Sequence, residues 1–202
     1  MNVLILSPGY PADMPEFTRG LAETGARVVG VGDSPPGGLP EQVRRSLSEY
    51  IHVPSLWDEE AVIRSLREQL ADDGLDRIEC LWEPGIILAA RLREAFGVPG
   101  LTVDQATPFR DKELMKLALD KAGVRTPKHE AASSIAAVWE AAEKIAFPMI
   151  IKPIAGAGSA DTYRVHDQDE LRGVLPRLRH VPAVSVEEFV DGEEFTFDTI
   201  TV

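Results

Sequence analysis

The chain has 202 residues, of which 44% are hydrophobic and 27% charged, and its formal net charge is −12. This is the composition of an ordinary globular protein with room for one large or two small domains, and it lacks the basic stripe expected of a nucleic-acid binder. A single cysteine, Cys80, excludes an intrachain disulfide framework; with no membrane-length apolar run and no signal-peptide pattern, the expected location is cytoplasmic and no membrane partner is expected.

Strand and helix signals alternate through the first half. Residues 3–6 form an apolar run of strand length, 15–24 can form a helix ending near Gly25, and 28–31 is a second strand followed by a Pro/Gly loop at 34–40. Ser55-Leu56-Trp57-Asp58 resembles a capping box, and the helix it opens places Val62, Ile63, Leu66 and Leu70 on one face. Residues 77–82 read as a strand with Cys80 as a packed core thiol. A helix over 86–96 is stopped by Gly97 and Pro99, and 101–103 adds a short strand. Strands separated by helices argue for right-handed βαβ units and a parallel, doubly wound sheet.

The character changes after Asp104. Thr107 can cap a helix with Pro108 at its first position; that helix carries Leu114, Met115, Leu117 and Ala118 and ends at Gly123. A strand over 128–132, an alanine-rich helix over 134–145 and a returning strand over 162–165 follow, the last after a central apolar run at 147–153. Asp167-Gln168-Asp169-Glu170 begins another helix that Pro176 kinks or ends. Residues 184–190 form a strand, Asp191-Gly192 a turn and 195–202 a further strand. So apolar a strand needs a partner sheet, so the chain is expected to be the front part of a longer protein.

The most informative segment is Phe147-Pro148-Met149-Ile150-Ile151-Lys152-Pro153-Ile154-Ala155-Gly156-Ala157-Gly158-Ser159. Period-2 alternation puts Lys152 on one face with Ile150 and Ile154. An unpaired ammonium there costs several kcal/mol, on the order of a broken buried pair, so an anion should lie within reach. The glycines that follow let backbone N–H groups close around a phosphate. Commoner nucleotide motifs are absent: there is no G-x-x-x-x-G-K-[ST], and the first strand-to-helix turn, Ser7-Pro8-Gly9-Tyr10-Pro11, lacks G-x-G-x-x-G. Without those glycines, Asp33 after the second strand argues only weakly for a dinucleotide fold that would take NAD.

Three segments combine: Arg110-Asp111-Lys112 opening a helix, the lysine strand with its glycine loop, and Val184-Ser185-Val186-Glu187-Glu188-Phe189-Val190-Asp191-Gly192-Glu193-Glu194-Phe195-Thr196. Their order and spacing resemble the ATP-grasp superfamily. The resemblance implies an α/β fold: a Rossmann-like parallel sheet over 1–105 of the kind that precedes an ATP-grasp fold, then an α+β ATP-grasp subdomain over 106–190, and the incomplete start of a second subdomain over 191–202.

The resemblance also implies roles. Lys112 and Lys152 look like the lysines that hold the ATP phosphates. At a helix N-terminus Lys112 opposes the helix dipole by a few tenths of a kcal/mol, a penalty that a phosphate reverses; the plainer readings are a solvated lysine paired with Asp111 or Glu113, and for Lys152 a structural ion pair. Gly156, Ala157, Gly158 and Ser159 look like the loop that covers the triphosphate, with a plain hairpin turn as the alternative. Glu187, Glu188, Phe189 and Val190 resemble the linker that reads adenine. There the Glu187 carboxylate accepts from the exocyclic amine, and Glu188 C=O and Val190 N–H supply backbone bonds; otherwise the paired acids are an exposed edge. Glu194 matches the acid that bonds the ribose hydroxyls, with Glu193 one place away.

The implied reaction is that of a carboxylate–amine ligase using ATP and Mg²⁺ through an acylphosphate, with small-molecule carboxylate and amine as partners. Biotin-carboxylase-like and carbamoyl-phosphate-synthase-like members, and a non-catalytic nucleotide-binding module, are the alternatives. The Mg²⁺ ligands and a catalytic arginine of the family lie downstream of Val202, so no catalytic or metal residue is assigned and the chain alone is not expected to turn over. Homodimers are usual among such relatives, with no interface evident in the sequence. Glu83, after the strand at 77–82, stands where open α/β sheets place ligands, and equally well begins a helix.

Overall fold

The computed structural model describes residues 1–70, 74–155, 160–193 and 195–196. They form two compact units, Met1–Arg110 and Asp111–Val202. Gly156, Ala157, Gly158, Ser159, Glu194 and most of the strand expected over 195–202 lie outside the described residues.

In the first unit the chain runs β1 (Asn2–Leu6), α1 (Met14–Glu23), β2 (Arg27–Gly32), α2 (Glu41–Ser46), β3 (Glu49–His52), α3 (Glu59–Gln69), β4 (Arg77–Glu79), α4 (Ile86–Phe96) and α5 (Val103–Ala106). The strands form a parallel sheet in the order β3-β2-β1-β4, with Val3 opposite Val28 on one side and Arg77 on the other. Alternation sends Leu4 and Leu6, with Val29, Val31 and Ile51, into one core with Val62 and Leu66 of α3 and Leu88 and Leu92 of α4. Ile5 and Val28 pack the other way, against Met14 and Leu21 of α1. A parallel sheet covered on both faces needs near-continuous apolar strands, which is why these were legible as strands at all. Cys80 joins the first of these cores, and burial pushes its thiol up to about 11.

Three local expectations in this unit are corrected. Asp58, not Ser55, caps α3: its carboxylate accepts from Ala61 N at 3.1 Å, while Ser55 Oγ accepts from Trp57 N. Residues 101–103 form no strand; Thr102 and Gln105 instead make a capping box for α5. The turn at Thr107–Phe109 is a single 3-10 turn, so Thr107 does not open the next helix. Asp111 does, with Oδ1 accepting from both Glu113 N and Leu114 N at 2.9 Å.

The second unit contains α6 (Lys112–Lys121), β5 (His129–Ala132), α7 (Ile135–Ile145), β6 (Met149–Pro153), β7 (Tyr163–Val165), α8 (Gln168–Val174) and β8 (Val184–Glu188). Its sheet is antiparallel, ordered β5-β8-β6-β7. Met149, Ile151, Val184 and Val186 form one core with Val138 and Ala141 of α7 and Leu171 and Val174 of α8. Pro176 sits in the 3-10 turn Leu175–Leu178 that follows α8, so it ends that helix. By alternation Ile150, Lys152, Ser185 and Glu187 belong to the sheet's other face, and the register sets Ile150 and His129 on either side of Glu187.

Candidate functional site

That second face is where the expected residues meet. The helix α6 begins with Lys112, whose backbone N donates to Ile154 O at 3.3 Å. The start of the helix is thereby fastened to the chain two residues beyond Lys152. One turn further on, Lys116 is 3% exposed. Its Nζ donates to Ser185 Oγ at 2.6 Å and to Glu187 Oε1 at 2.7 Å, and lies 3.5 Å from Glu113 Oε2. The Lys152 ammonium reaches the other carboxylate oxygen, Glu187 Oε2, at 2.9 Å. The anion that the strand pattern demanded for Lys152 is therefore Glu187, itself only 4% exposed.

A second group of acids continues the network. Glu113 Oε2 accepts from Ser185 Oγ at 3.1 Å, and its Oε1 meets His129 Nδ1. His129 Nε2 lies 3.1 Å from Asp120 Oδ2, and Thr126 Oγ1 donates to Asp120 Oδ1 at 2.7 Å. Burial by itself would raise the Glu187 carboxyl; the hydrogen bonds and charges of Lys116 and Lys152 outweigh it and hold the group below the ordinary carboxylate value. Asp120 is likewise lowered, by the hydrogen bonds from Thr126 and His129. Every buried side-chain polar atom among the described residues has a partner.

The segment that follows Glu187 leaves the interior. Glu188 N donates to Lys128 O at 2.9 Å and its carboxylate pairs with Arg125 at 3.0 Å. Phe189 N donates to Pro148 O at 3.2 Å, and the Arg164 guanidinium stands 3.5 Å from the centre of the Phe189 ring. Val190 is exposed. Glu187 and Glu188 are thus unlike: one is an interior carboxylate fixed by two ammoniums, the other a rim acid.

Sequence reasoning missed Lys116, Glu113, Ser185 and His129. The signal for Lys116 was its spacing of four from Lys112, which puts both on one helix face. It was masked by the apolar residues around it, Leu114, Met115 and Leu117, which are exposed, Leu117 at 54%. A groove of ≈ 640 Å³ beside Trp139, Arg172 and Arg179 holds none of the expected residues. It lies on the α7/α8 side and offers no interior charge. Among the described residues no group of three or more His, Cys, Asp or Glu side chains is placed to hold a metal ion, and no helix is long and apolar enough to cross a membrane.

Residues 111–192 match the family described as the ATP binding domain of the carbamoyl-phosphate synthase L chain. Among characterised proteins, the chain is 26% identical over 161 residues to the L-arginine-specific L-amino acid ligase of Bacillus subtilis, a match covering 76% of this chain and 39% of that protein. The fold is similar to the crystal structure of an L-amino acid ligase from Bacillus licheniformis, with a TM-score of 0.76 at 24% identity, covering 95% of this chain and 44% of that one. It is also similar to N5-carboxyaminoimidazole synthetase from Staphylococcus aureus complexed with ADP, with a TM-score of 0.75 at 18% identity, covering 94% and 48%. The chain spans less than half the length of each.

Proposed function

We propose, because residues 111–192 belong to the ATP-grasp superfamily, that this chain is the ATP-binding portion of a ligase that joins a small-molecule carboxylate to an amine or similar nucleophile. The observation that carries the reading is the Lys116–Glu187–Lys152 arrangement: an ionised interior carboxylate anchored at both oxygens, one of its lysines partly open to solvent, at the end of the strand that leads to Gly156-Ala157-Gly158-Ser159.

The residues fit a nucleotide. Lys152 supplies an ammonium at the end of β6, and Lys112 a second at the start of α6, where the helix dipole also favours an anion. Glu187 is a charged acceptor suited to an exocyclic amine, and Glu188 C=O and Val190 N–H are the backbone groups assigned to the ring edge. Gly156, Ala157, Gly158 and Ser159 are assigned to cover the phosphates, and Glu194 to bond the ribose. ATP, when bound, supplies the phosphoryl group that converts a carboxylate to an acylphosphate for displacement by the amine. The chain's own part is to fix cations and exclude water around that charge. Mg²⁺ belongs to the same proposal. The ADP in the staphylococcal synthetase structure supports a nucleotide at this fold. The family match itself favours, as a second reading, a carbamoyl-phosphate-synthase-like reaction.

Isothermal titration of ATP into the chain tests the reading. Wild type is expected to bind, and Lys152→Ala to bind about tenfold more weakly or worse, the loss of one charge-assisted contact. Equal affinity in the two would remove Lys152 from the site. Release of ADP and phosphate by the full-length protein, on adding carboxylate and amine together, separates the ligase from a non-catalytic module.

A further inference from the structure

Lys116 carries the only ammonium among the buried residues described, and the proposed function gives it no contact with nucleotide. Its side chain is 4% exposed, against 27% for Lys152. The two cations on Glu187 are therefore unequal: one is enclosed, the other stands near the end of the inner strand β6, partly open to solvent. We propose that Lys116 is a positioning residue for the nucleotide, pinning Glu187 from the interior so that Lys152 can turn from the carboxylate to a phosphate without stranding a buried anion. This rests on the nucleotide-binding reading of the same site.

The neighbours leave Lys116 without a substitute. Glu187 faces Lys116 and Glu113 from α6, His129 from β5 across the register, and Lys152 from β6. Glu113 has the wrong sign and is already engaged by Ser185 Oγ and His129. Both nitrogens of His129 are committed to Glu113 and Asp120. If Lys152 alone neutralised Glu187, moving it would leave an interior carboxylate that must take up a proton or draw the lysine back. With Lys116 in place, a charge-assisted hydrogen bond at 2.7 Å persists throughout. The same bond fixes the carboxylate's orientation, which an acceptor for a base-edge amine requires.

The test titrates ATP, ADP and GTP into wild type, Lys116→Met, Glu187→Gln and the double variant between pH 5 and 8, with thermal unfolding of each protein alongside. Lys116→Met is expected to weaken ATP binding about tenfold at neutral pH and to narrow the preference for ATP over GTP. It should also move the acid limit of binding upward by about one pH unit, because Glu187 loses a cation that favours its charged form. In the Glu187→Gln background, removing Lys116 should change affinity no further, since Lys116 acts through that carboxylate. That comparison carries the test if Lys116→Met alone does not fold. Binding, preference and pH limit in Lys116→Met all like wild type overturn the proposal alone, as does an undiminished effect of Lys116→Met on the Glu187→Gln background. A wild-type chain that binds neither ATP nor ADP overturns the nucleotide reading and the proposal with it.

Discussion

The two sheets of this chain treat charge in opposite ways. In the parallel sheet the buried strand positions are apolar or glycine, and the ion pairs of its strands keep their carboxylates more than a third exposed; Arg27 and Glu49 meet at 2.9 Å with both side chains that open. In the antiparallel sheet one face is as apolar, but the other sets Lys152, Ser185 and Glu187 against a helix that turns Lys116 inward. Of the buried polar residues described, Thr18 alone belongs to the first unit. Interior ion pairs give little net stability over well-packed apolar side chains, so a fold able to build an apolar sheet in its first half gains little by charging the second for stability alone. Charge held inside at that cost makes this face the candidate site.

The sharpest way to break this comparison is to remove one member of the interior set. Glu187→Ala leaves the Lys116 ammonium with only Ser185 and the more distant Glu113 carboxylate, and is expected to cost about 3–5 kcal/mol in urea unfolding. A loss under about 1 kcal/mol, the value of an exposed pair, would mean that the interior network is energetically ordinary. Acid sharpens the same point. Because the folded-state Glu187 carboxyl lies below its unfolded value, its contribution is fully present above the unfolded carboxylate pKa of about 4.3 and is lost as pH falls through the lower folded value. The melting temperature of wild type should therefore fall more steeply below that pH than that of Glu187→Gln. Parallel curves would remove Glu187 from the acid transition.

How legible each region was follows from the same contrast. Strands buried on both faces spell themselves as Val-Leu-Ile-Leu or Val-Val, and β1 and β2 were readable from the chain alone. β3 was not: of Glu49-Tyr50-Ile51-His52 only Ile51 is buried, so no alternation is left to see. The lysine strand, the helix after Asp111 and the acid pair at 187–188 were readable as elements and as residue types. What they touch was not, because the partner of Lys152 lies on β8 and that of Glu187 on α6, contacts fixed by strand register and helix rotation. α6 inverts the rule that apolar residues face inward, since Lys116 is buried while Leu114, Met115 and Leu117 are not. Local capping was ambiguous for a different reason: Ser55 and Asp58 are both good caps three residues apart. Asp58→Ala should cost about 1 kcal/mol and Ser55→Ala only a few tenths, read as shifts in the urea midpoint; equal costs would restore Ser55 as the cap.

The smallest expected effect is the control on the whole contrast. Arg27 and Glu49 come from neighbouring strands of the parallel sheet and meet at 2.9 Å, the same separation as Lys152 and Glu187. Distance alone would rank the two pairs equal. Exposure does not: Arg27 and Glu49 keep water on both groups, so breaking the pair returns each charge to solvent instead of stranding it. Arg27→Ala is accordingly expected to lower stability by about 0.5 kcal/mol, less still at high salt, where exposed pairs are screened. A salt-independent loss of several kcal/mol at Arg27 would show that burial is not what separates the two sheets, and interior charge would no longer single out the face that carries Lys152 and Glu187.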